Sequence, residues 1–491
     1  MTQMWHEERL YIDGELVVAH DGATYDNIDP STEEVLGVAA DASADDIWRA
    51  IEAARRAFDE TDWSTNVSVR TRCLRQLRQA MEDHHAELGE ILVAEVGAPR
   101  MLIDGPQLGV PRELLGYYAD LAENYEWTTQ LGVAETLAGR ANRWVERESA
   151  GVVGAISPWN YPMQINLAKI APALAAGCTV VLKSAPDTPW SALALGRLIA
   201  EHTDFPPGVI NIITSADKTI GEVITTDPRV DLVSFTGSTA VGRRIMEASA
   251  ATIKRVFLEL GGKSAHIVLD DIADMANGVA GACFQICTHG AQGCATTSRL
   301  LIPRSRYDEG VQATAALLGA LPWGDPRDPG NMTGPVINRA QRDRIEDYIQ
   351  KGIDEGARLV MGGVRPTQHD KGFWVQPTLF ADVTNDMIIA REEIFGPVLV
   401  AIPYDDDDHA VCIANDSIFG LSGAVVSADR ERALSVARRI RTGTMSVNGG
   451  LWYGADVPFG GYKQSGLGRE MGVAGFEEYL EQKSFAEPAG G

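Results

Sequence analysis

The sequence predicts an α/β protein whose main body is a doubly wound, mostly parallel sheet, and two observations carry that expectation. In residues 151–260, apolar runs of strand length alternate with segments of helical periodicity: 151–156 then 167–176, 179–182 then 190–202, 209–213 then 219–225, and 232–235 then 241–249. Strand and helix in strict alternation favour parallel strands joined by crossovers, with helices on both faces. A second α/β stretch runs from residue 265 to about 447, with strand candidates at 265–269, 300–302, 398–402 and 423–426, so a second domain is expected.

Ahead of these bodies, residues 9–18 alternate apolar and polar side chains around Asp13-Gly14, and Tyr25 and Ile28 follow before Asp29-Pro30, as in a short N-terminal strand pair. Apolar residues recur at helical spacing over 43–58 and over 69–96, which reads as two helices, and the pattern resumes over 114–125. Residues 140–148 instead alternate charged and apolar side chains, the pattern of an exposed strand in an arm. The acidic run at 405–408 reads as a solvated loop without a role, and no internal repeat or low-complexity segment is present.

A chain of 491 residues exceeds one ordinary core and suits two or three domains that share a cleft. The 43 basic and 68 acidic residues give a formal charge of -25, which repels nucleic-acid phosphates and anionic lipid, so neither partner is expected. Six cysteines are too sparse for a disulfide scaffold and fit a reducing compartment. Residues 1–10 lack the charged and apolar regions of an export signal, and the most apolar region, 151–182, is interrupted by Pro158, Asn160, Pro162 and Lys169. It falls short of the roughly 20 apolar residues that span a bilayer, and a cytoplasmic protein without a membrane partner is expected.

Chemistry concentrates in a few segments. Cys294 lies in Gly290-Ala291-Gln292-Gly293-Cys294-Ala295, where small neighbours leave a thiol open to approach; the competing reading is a small buried hydrophobe. Cys283, Cys287, His289 and Cys294 are four possible metal ligands, but their spacing matches no zinc knuckle and no metal is expected. In Pro158-Trp159-Asn160-Tyr161-Pro162 two prolines stiffen the backbone around an Asn whose amide suits an oxyanion, although an ordinary Asn turn has the same appearance. Glu259 stands between apolar residues before Gly261-Gly262; burial there would raise its pKa toward general-base duty, whereas a salt bridge would make it structural. Residues 235–242, Phe-Thr-Gly-Ser-Thr-Ala-Val-Gly, bring a strand into a helix through a glycine turn able to cradle a diphosphate, without matching G-x-G-x-x-G. Gly262-Lys263-Ser264 is not a P-loop, because Phe257 stands where that motif needs glycine.

In order along nearly the whole chain, the 158–162 segment, Lys183, the 235–242 segment, Glu259 to Lys263, Gln292-Gly293-Cys294, and the segments 392–397 and 458–470 resemble the NAD(P)-dependent aldehyde dehydrogenase superfamily. The resemblance implies an aldehyde dehydrogenase-like fold: a doubly wound cofactor domain in two parts (1–126 and 150–261), an α/β catalytic domain (262–446), a β oligomerisation arm (127–149) joined by a C-terminal tail (472–491), and a return segment (447–471) completing the cleft. It makes Cys294 the nucleophile that forms a thioester, Asn160 and the Cys294 amide the oxyanion donors, Glu259 the base for hydrolysis, and Lys169 with Glu470 a supporting pair.

For the cofactor, NAD or NADP, the resemblance implies Ser157, Trp159 and Lys183 around the adenosine half, Phe235, Gly237, Ser238 and Val241 at the adenine and diphosphate, Glu393 with Phe395 at the nicotinamide side, and Pro186, Gly221 and Leu260 as further cofactor-binding residues. Lys183-Ser184-Ala185-Pro186 lacks the Glu that often accepts the ribose hydroxyls in NAD-preferring relatives, which opens the way to NADP. His289-Gly290-Ala291 also replaces the usual Asn-x-Gly. Tyr161, Ile165, Ala168, Gly293, Leu451, Trp452, Tyr453 and Phe459 would line an apolar substrate tunnel, favouring an aliphatic, terpenoid or aromatic aldehyde over a semialdehyde. Family members assemble through the arm, so a homodimer or homotetramer is expected. The alternatives are a CoA-acylating aldehyde dehydrogenase and a non-catalytic structural or binding member of the fold.

Overall fold

The computed structural model describes residues 7–137 and 139–489; the first six residues of the stretch read against an export signal and the last two of the tail lie outside the described residues. Its main sheet has the spatial order Glu15–Val18, Arg9–Ile12, Ile210–Ile213, Thr179–Lys183, Val152–Ile156, Leu232–Thr236, Arg255–Glu259 and Gly466–Leu467. The strands from Ile210–Ile213 across to Arg255–Glu259 are parallel, and those at the two edges are antiparallel. The near-continuous burial of VVGAI, TVVLK, INII and LVSFT is what a parallel sheet covered on both faces requires.

Topology fixes where a ligand can enter. From Val152–Ile156 the chain winds outward through Thr179–Lys183 and Ile210–Ile213, then returns to the other flank with Leu232–Thr236 and Arg255–Glu259. The register pairs Ile156 with Lys183 and with Phe235, and Thr236 with Glu259, so the carboxyl ends of these strands form one rim. A crevice opens outside the carboxyl ends where winding reverses, between Val152–Ile156 and Leu232–Thr236.

The second sheet runs Arg358–Met361, Thr378–Ala381, Val398–Tyr404, Arg299–Pro303, Ala265–Val268, Gly423–Val426 and Ser446–Val447, parallel throughout except for its first pair. A separate ribbon of Thr128–Thr136, Gly139–Ser149 and Leu480–Pro488 brings the C-terminal tail onto the arm, with Trp144 stacked on Phe485 at 5.2 Å.

Two expectations need correction. The periodic stretch 69–96 is broken: Asn66 caps Val67–Asp83, His84 leaves helical geometry, and a new helix, His85–Val96, ends at Gly97 with φ 66°. Apolar spacing hides the break because Leu74, Leu77 and Met81 pack into the same core as Leu88, Ile91 and Leu92. The acidic run at 405–408 is not a loop. Asp406 caps the helix Asp407–Asn415, and Asp405, Asp407 and Asp408 pair with Arg304, Arg432 and Arg439, a charge placement that complements a helix N-terminus.

Candidate active site

Cys294 follows the helix Met275–Cys287 through a turn in which His289, Gly290 and Ala291 have φ of 51°, 61° and 54°. Successive left-handed residues are costly outside glycine, and this turn is held by hydrogen bonds. His289 N donates to Met332 O at 3.0 Å, Gln292 N to His289 O at 3.2 Å, and the Gln292 side chain donates to His289 O at 3.1 Å while accepting from Ile337 N at 3.0 Å. A Cβ at Gly262 would come within 2.5 Å of the Cys294 carbonyl oxygen, so the cysteine loop lies directly on the glycine pair that follows Glu259. Burial, and next the neighbouring carboxyl groups of Glu259, Glu393 and Glu470 to the extent that they ionise, push the Cys294 thiol well above the ordinary cysteine range.

Asn160 is 3% exposed and donates from Nδ2 to Gln292 O at 2.7 Å, which ties its amide to the cysteine loop. Its own carbonyl accepts from Gln107 Nε2 at 3.1 Å and lies 2.9 Å from His289 Nε2. Glu259, 1% exposed, lies at the end of Arg255–Glu259, and neither carboxyl oxygen has a hydrogen-bond partner among the described residues. Burial, reinforced by Glu470, holds it protonated far above the usual carboxylate range. Lys169, on the fully buried helix Pro162–Ala176, meets Glu470 at 3.2 Å and donates to Ser234 Oγ at 3.1 Å. The salt bridge expected as the structural alternative for Glu259 therefore belongs to its neighbour Glu470.

The crevice collects the residues expected around a dinucleotide. Ser157 N donates to Lys183 O at 3.2 Å across adjacent strand ends, and Gly221 packs over Ile156 and the Lys183 stem. Burial lowers Lys183 to about 8; its Nζ donates to Ser184 O at 3.2 Å. Pro186 is half-buried on the following turn. Gly237 passes so close to the Phe235 ring that a Cβ would meet it at 2.4 Å, and Ser238 caps the helix Thr239–Ser249. On that helix Val241 is exposed, while Gly242 packs onto Leu260. A bare backbone at a helix N-terminus fits a diphosphate. Across the cleft, Glu393 Oε1 accepts from Gly262 N at 2.9 Å and is raised by burial to about 7, and Phe395, at φ 61°, meets Trp159 edge-on at 5.4 Å. A cavity beside these groups is lined by Gly262, Gly293, Thr296, Glu393 and Phe395.

On the opposite side, Trp452 stacks on Phe459 at 5.7 Å, Tyr453 meets Phe459 at 6.5 Å, and Leu451 is 88% exposed at the margin. Ile165 and Ala168 are buried on the helix that Tyr161 precedes, and Gly293 lies within reach of the Tyr161 ring. Desolvation raises the Tyr161 and Tyr453 phenols, with Glu470 next for Tyr453 and Cys294 acting on both. The described residues hold no group of three or more metal-ligating side chains, and Cys283 and Cys287 are buried away as free thiols.

Residues 17–485 match the aldehyde dehydrogenase family. The chain belongs to that family. It is 42% identical over 97% of both chains to 3-succinoylsemialdehyde-pyridine dehydrogenase of a Pseudomonas species, and 41% identical over 97% of this chain and 98% of the relative to geranial dehydrogenase of Castellaniella defragrans. Among solved structures it is similar to a cysteine-to-alanine mutant of aldehyde dehydrogenase C from Pseudomonas syringae complexed with NAD+ and octanal, at 40% identity, 97% and 96% coverage and a TM-score of 0.92. The α/β fold with parallel sheets is that of the family. No helix among the described residues is long and apolar enough to cross a membrane.

Sequence reasoning passed over groups that the fold brings here. Gln107 comes from the irregular turn Ile103–Gln107 and carries no local signal. Lys263, dismissed with the P-loop, is buried with no partner for Nζ among the described residues, and burial lowers it to about 7. His289, a departure from the family pattern and one of four possible metal ligands by sequence, instead turns its ring toward Asn160.

Proposed function

We propose that this chain oxidises an apolar aldehyde to the carboxylic acid with NAD+, through a thioester on Cys294. One observation carries the reading: Asn160 donates to the loop two residues ahead of Cys294, while Glu259, without a hydrogen-bond partner among the described residues, stands on the strand followed by Gly262, which lies against the Cys294 backbone. Cys294 attacks as thiolate, forming the C–S bond and leaving a negative charge on the former carbonyl oxygen. Asn160 Nδ2 and the Cys294 N–H hold that oxygen. NAD+, when bound, supplies the acceptor for the hydrogen and electron pair that the tetrahedral carbon loses. Water then adds to the thioester, Glu259 takes its proton, and the C–S bond breaks to return thiolate. Lys169 and Glu470 set the charge beside Glu259 and give that proton a path away.

Ser157, Trp159, Lys183, Pro186, Gly221, Phe235, Gly237, Ser238, Val241 and Leu260 are assigned to the adenosine and diphosphate, and Glu393 and Phe395 to the nicotinamide side. The NAD+ complex of the Pseudomonas syringae relative supports NAD. The charges acting on Lys183 are mixed, Asp217, Asp187 and Asp41 against Lys218, and Asp217 is kept anionic by Thr219. Geranial and octanal in the names of relatives, together with the aromatic wall of Trp452, Tyr453 and Phe459, support an alkyl or terpenoid aldehyde. The domain limits given above, a cytoplasmic location and a homodimer or homotetramer joined through the arm complete the proposal. Absorbance at 340 nm with linear alkanals, a terpenoid aldehyde and a carboxylated semialdehyde, each with NAD+ or NADP+, tests it. Fast oxidation of the apolar set with NAD+, absent in Cys294→Ala and independent of CoA, is expected; a requirement for CoA would favour the acylating alternative.

A further inference from the structure

The turn before Cys294 sets an imidazole in an unusual place. His289 is fully buried, its ring meets Tyr161 at 5.2 Å, and its backbone lies in the left-handed region that non-glycine residues occupy at a cost. Such a conformation persists where surrounding contacts determine it, and at functional sites the strain is commonly part of the device. Here the contacts form a closed circuit. His289 Nε2 lies 2.9 Å from Asn160 O, Asn160 Nδ2 donates to Gln292 O at 2.7 Å, and Gln292 N donates to His289 O at 3.2 Å.

The direction of the first bond follows from its partner. A carbonyl oxygen only accepts, so Nε2 carries the hydrogen and Nδ1, which has no partner among the described residues, is the bare nitrogen. Burial lowers the imidazole to about 4, so it is neutral under ordinary conditions and keeps this tautomer. Asn160 is thereby gripped twice by one turn of chain, by its main-chain oxygen and by its side-chain amide. An amide NH2 has two hydrogens. With one fixed on Gln292 O, the direction of the second is fixed as well.

We propose that His289 is a positioning residue that aims the Asn160 amide at the oxyanion formed on Cys294. This rests on the reading of Asn160 as the oxyanion donor. It goes beyond that reading in assigning the aim of the donor to the imidazole and to the left-handed turn that presents it. A donor that moves about the Asn160 backbone binds the ground state almost as well as before but meets the developing charge poorly, so the loss falls on kcat.

The test is steady-state kinetics of His289→Phe, His289→Gln, Asn160→Ala and the double variant Asn160→Ala/His289→Phe, with octanal and NAD+ as the probes and a thermal melt for each protein. Phe keeps a ring against Tyr161 without the donor; Gln keeps a donor without the ring. Removing an oxyanion donor outright costs about 100- to 1000-fold in kcat, so losing its aim is expected to cost about tenfold or more in H289F, with both KM values within about threefold. H289Q is expected to recover most of that loss, and H289F to cost nothing further in the N160A background, since both changes act on one donor. Equal activity of H289F and wild type, equal impairment of H289F and H289Q, or losses that multiply in the double variant would each overturn the proposal. If N160A itself retains full kcat, the oxyanion reading fails first and the positioning role falls with it; a loss in N160A without one in H289F removes the positioning role alone.

Discussion

Replacing Glu259 by Gln separates the two halves of the proposed reaction. The side chain is 1% exposed, and neither oxygen is hydrogen bonded among the described residues, so an amide of the same shape breaks no bond seen there and the variant is expected to melt close to wild type. What is lost is the base. General-base assistance contributes about 100- to 10,000-fold, or roughly 3–5.5 kcal/mol of barrier at 1.36 kcal/mol per tenfold. That loss is expected to fall on thioester hydrolysis, because attack by Cys294 and the oxidation that follows make no use of Glu259. Stopped-flow absorbance at 340 nm should therefore show a burst of NADH close to one equivalent per Cys294, followed by a steady state slowed at least a hundredfold. Mass spectrometry of the quenched protein should show the acyl group on Cys294. A steady-state rate within about threefold of wild type would refute the assignment of Glu259 as the base, and loss of the burst together with the steady state would refute the separation of roles.

Three further outcomes follow from the same geometry. Cys294 and Glu259 are both held in their protonated forms by burial and by neighbouring carboxyl groups, and each must lose a proton to act, so kcat/KM, which reads Cys294, and kcat, which reads Glu259 where hydrolysis limits turnover, are both expected to rise from pH 7 toward pH 9; a flat profile in either counts against the group it reads. Gly262→Ala drives a methyl into the Cys294 carbonyl and should remove nearly all activity, whereas Gly319→Ala, with open space around it, should leave activity unchanged in the same assay. Trp452→Ala removes the half-buried ring stacked on Phe459 and, at about 0.8 kcal/mol per buried CH2-sized group lost from the wall, should raise KM for octanal severalfold with kcat largely kept, read from initial rates.

The parallel body was legible because four buried strands and their helices alternate without interruption, so apolar runs and turns suffice to mark them. The break at His84 was not legible: both flanking helices face one core, and apolar spacing reports the face that is buried without reporting continuity of the backbone. At the site, Cys294, Asn160 and Glu259 could be named from short motifs, since each needs a characteristic neighbourhood of small or stiff residues. Gln107 and His289 could not be given partners, because their link to Asn160 joins segments 53 and 129 residues distant in the chain. The clamp exists only once the crevice has closed around it.

The contact of Gly262 with the Cys294 carbonyl divides the walls of the cleft into two kinds. At Gly262, on the cofactor side, backbone lies against the Cys294 backbone with no space for an added methyl, so a change of that residue is registered at the nucleophile. On the side of Leu451, Trp452 and Phe459 the wall is made of side chains, and Leu451 reaches solvent. Variation in the aldehyde accepted can therefore accumulate at the mouth without disturbing the chemistry, and a change of specificity by selection or by design has that wall to work on.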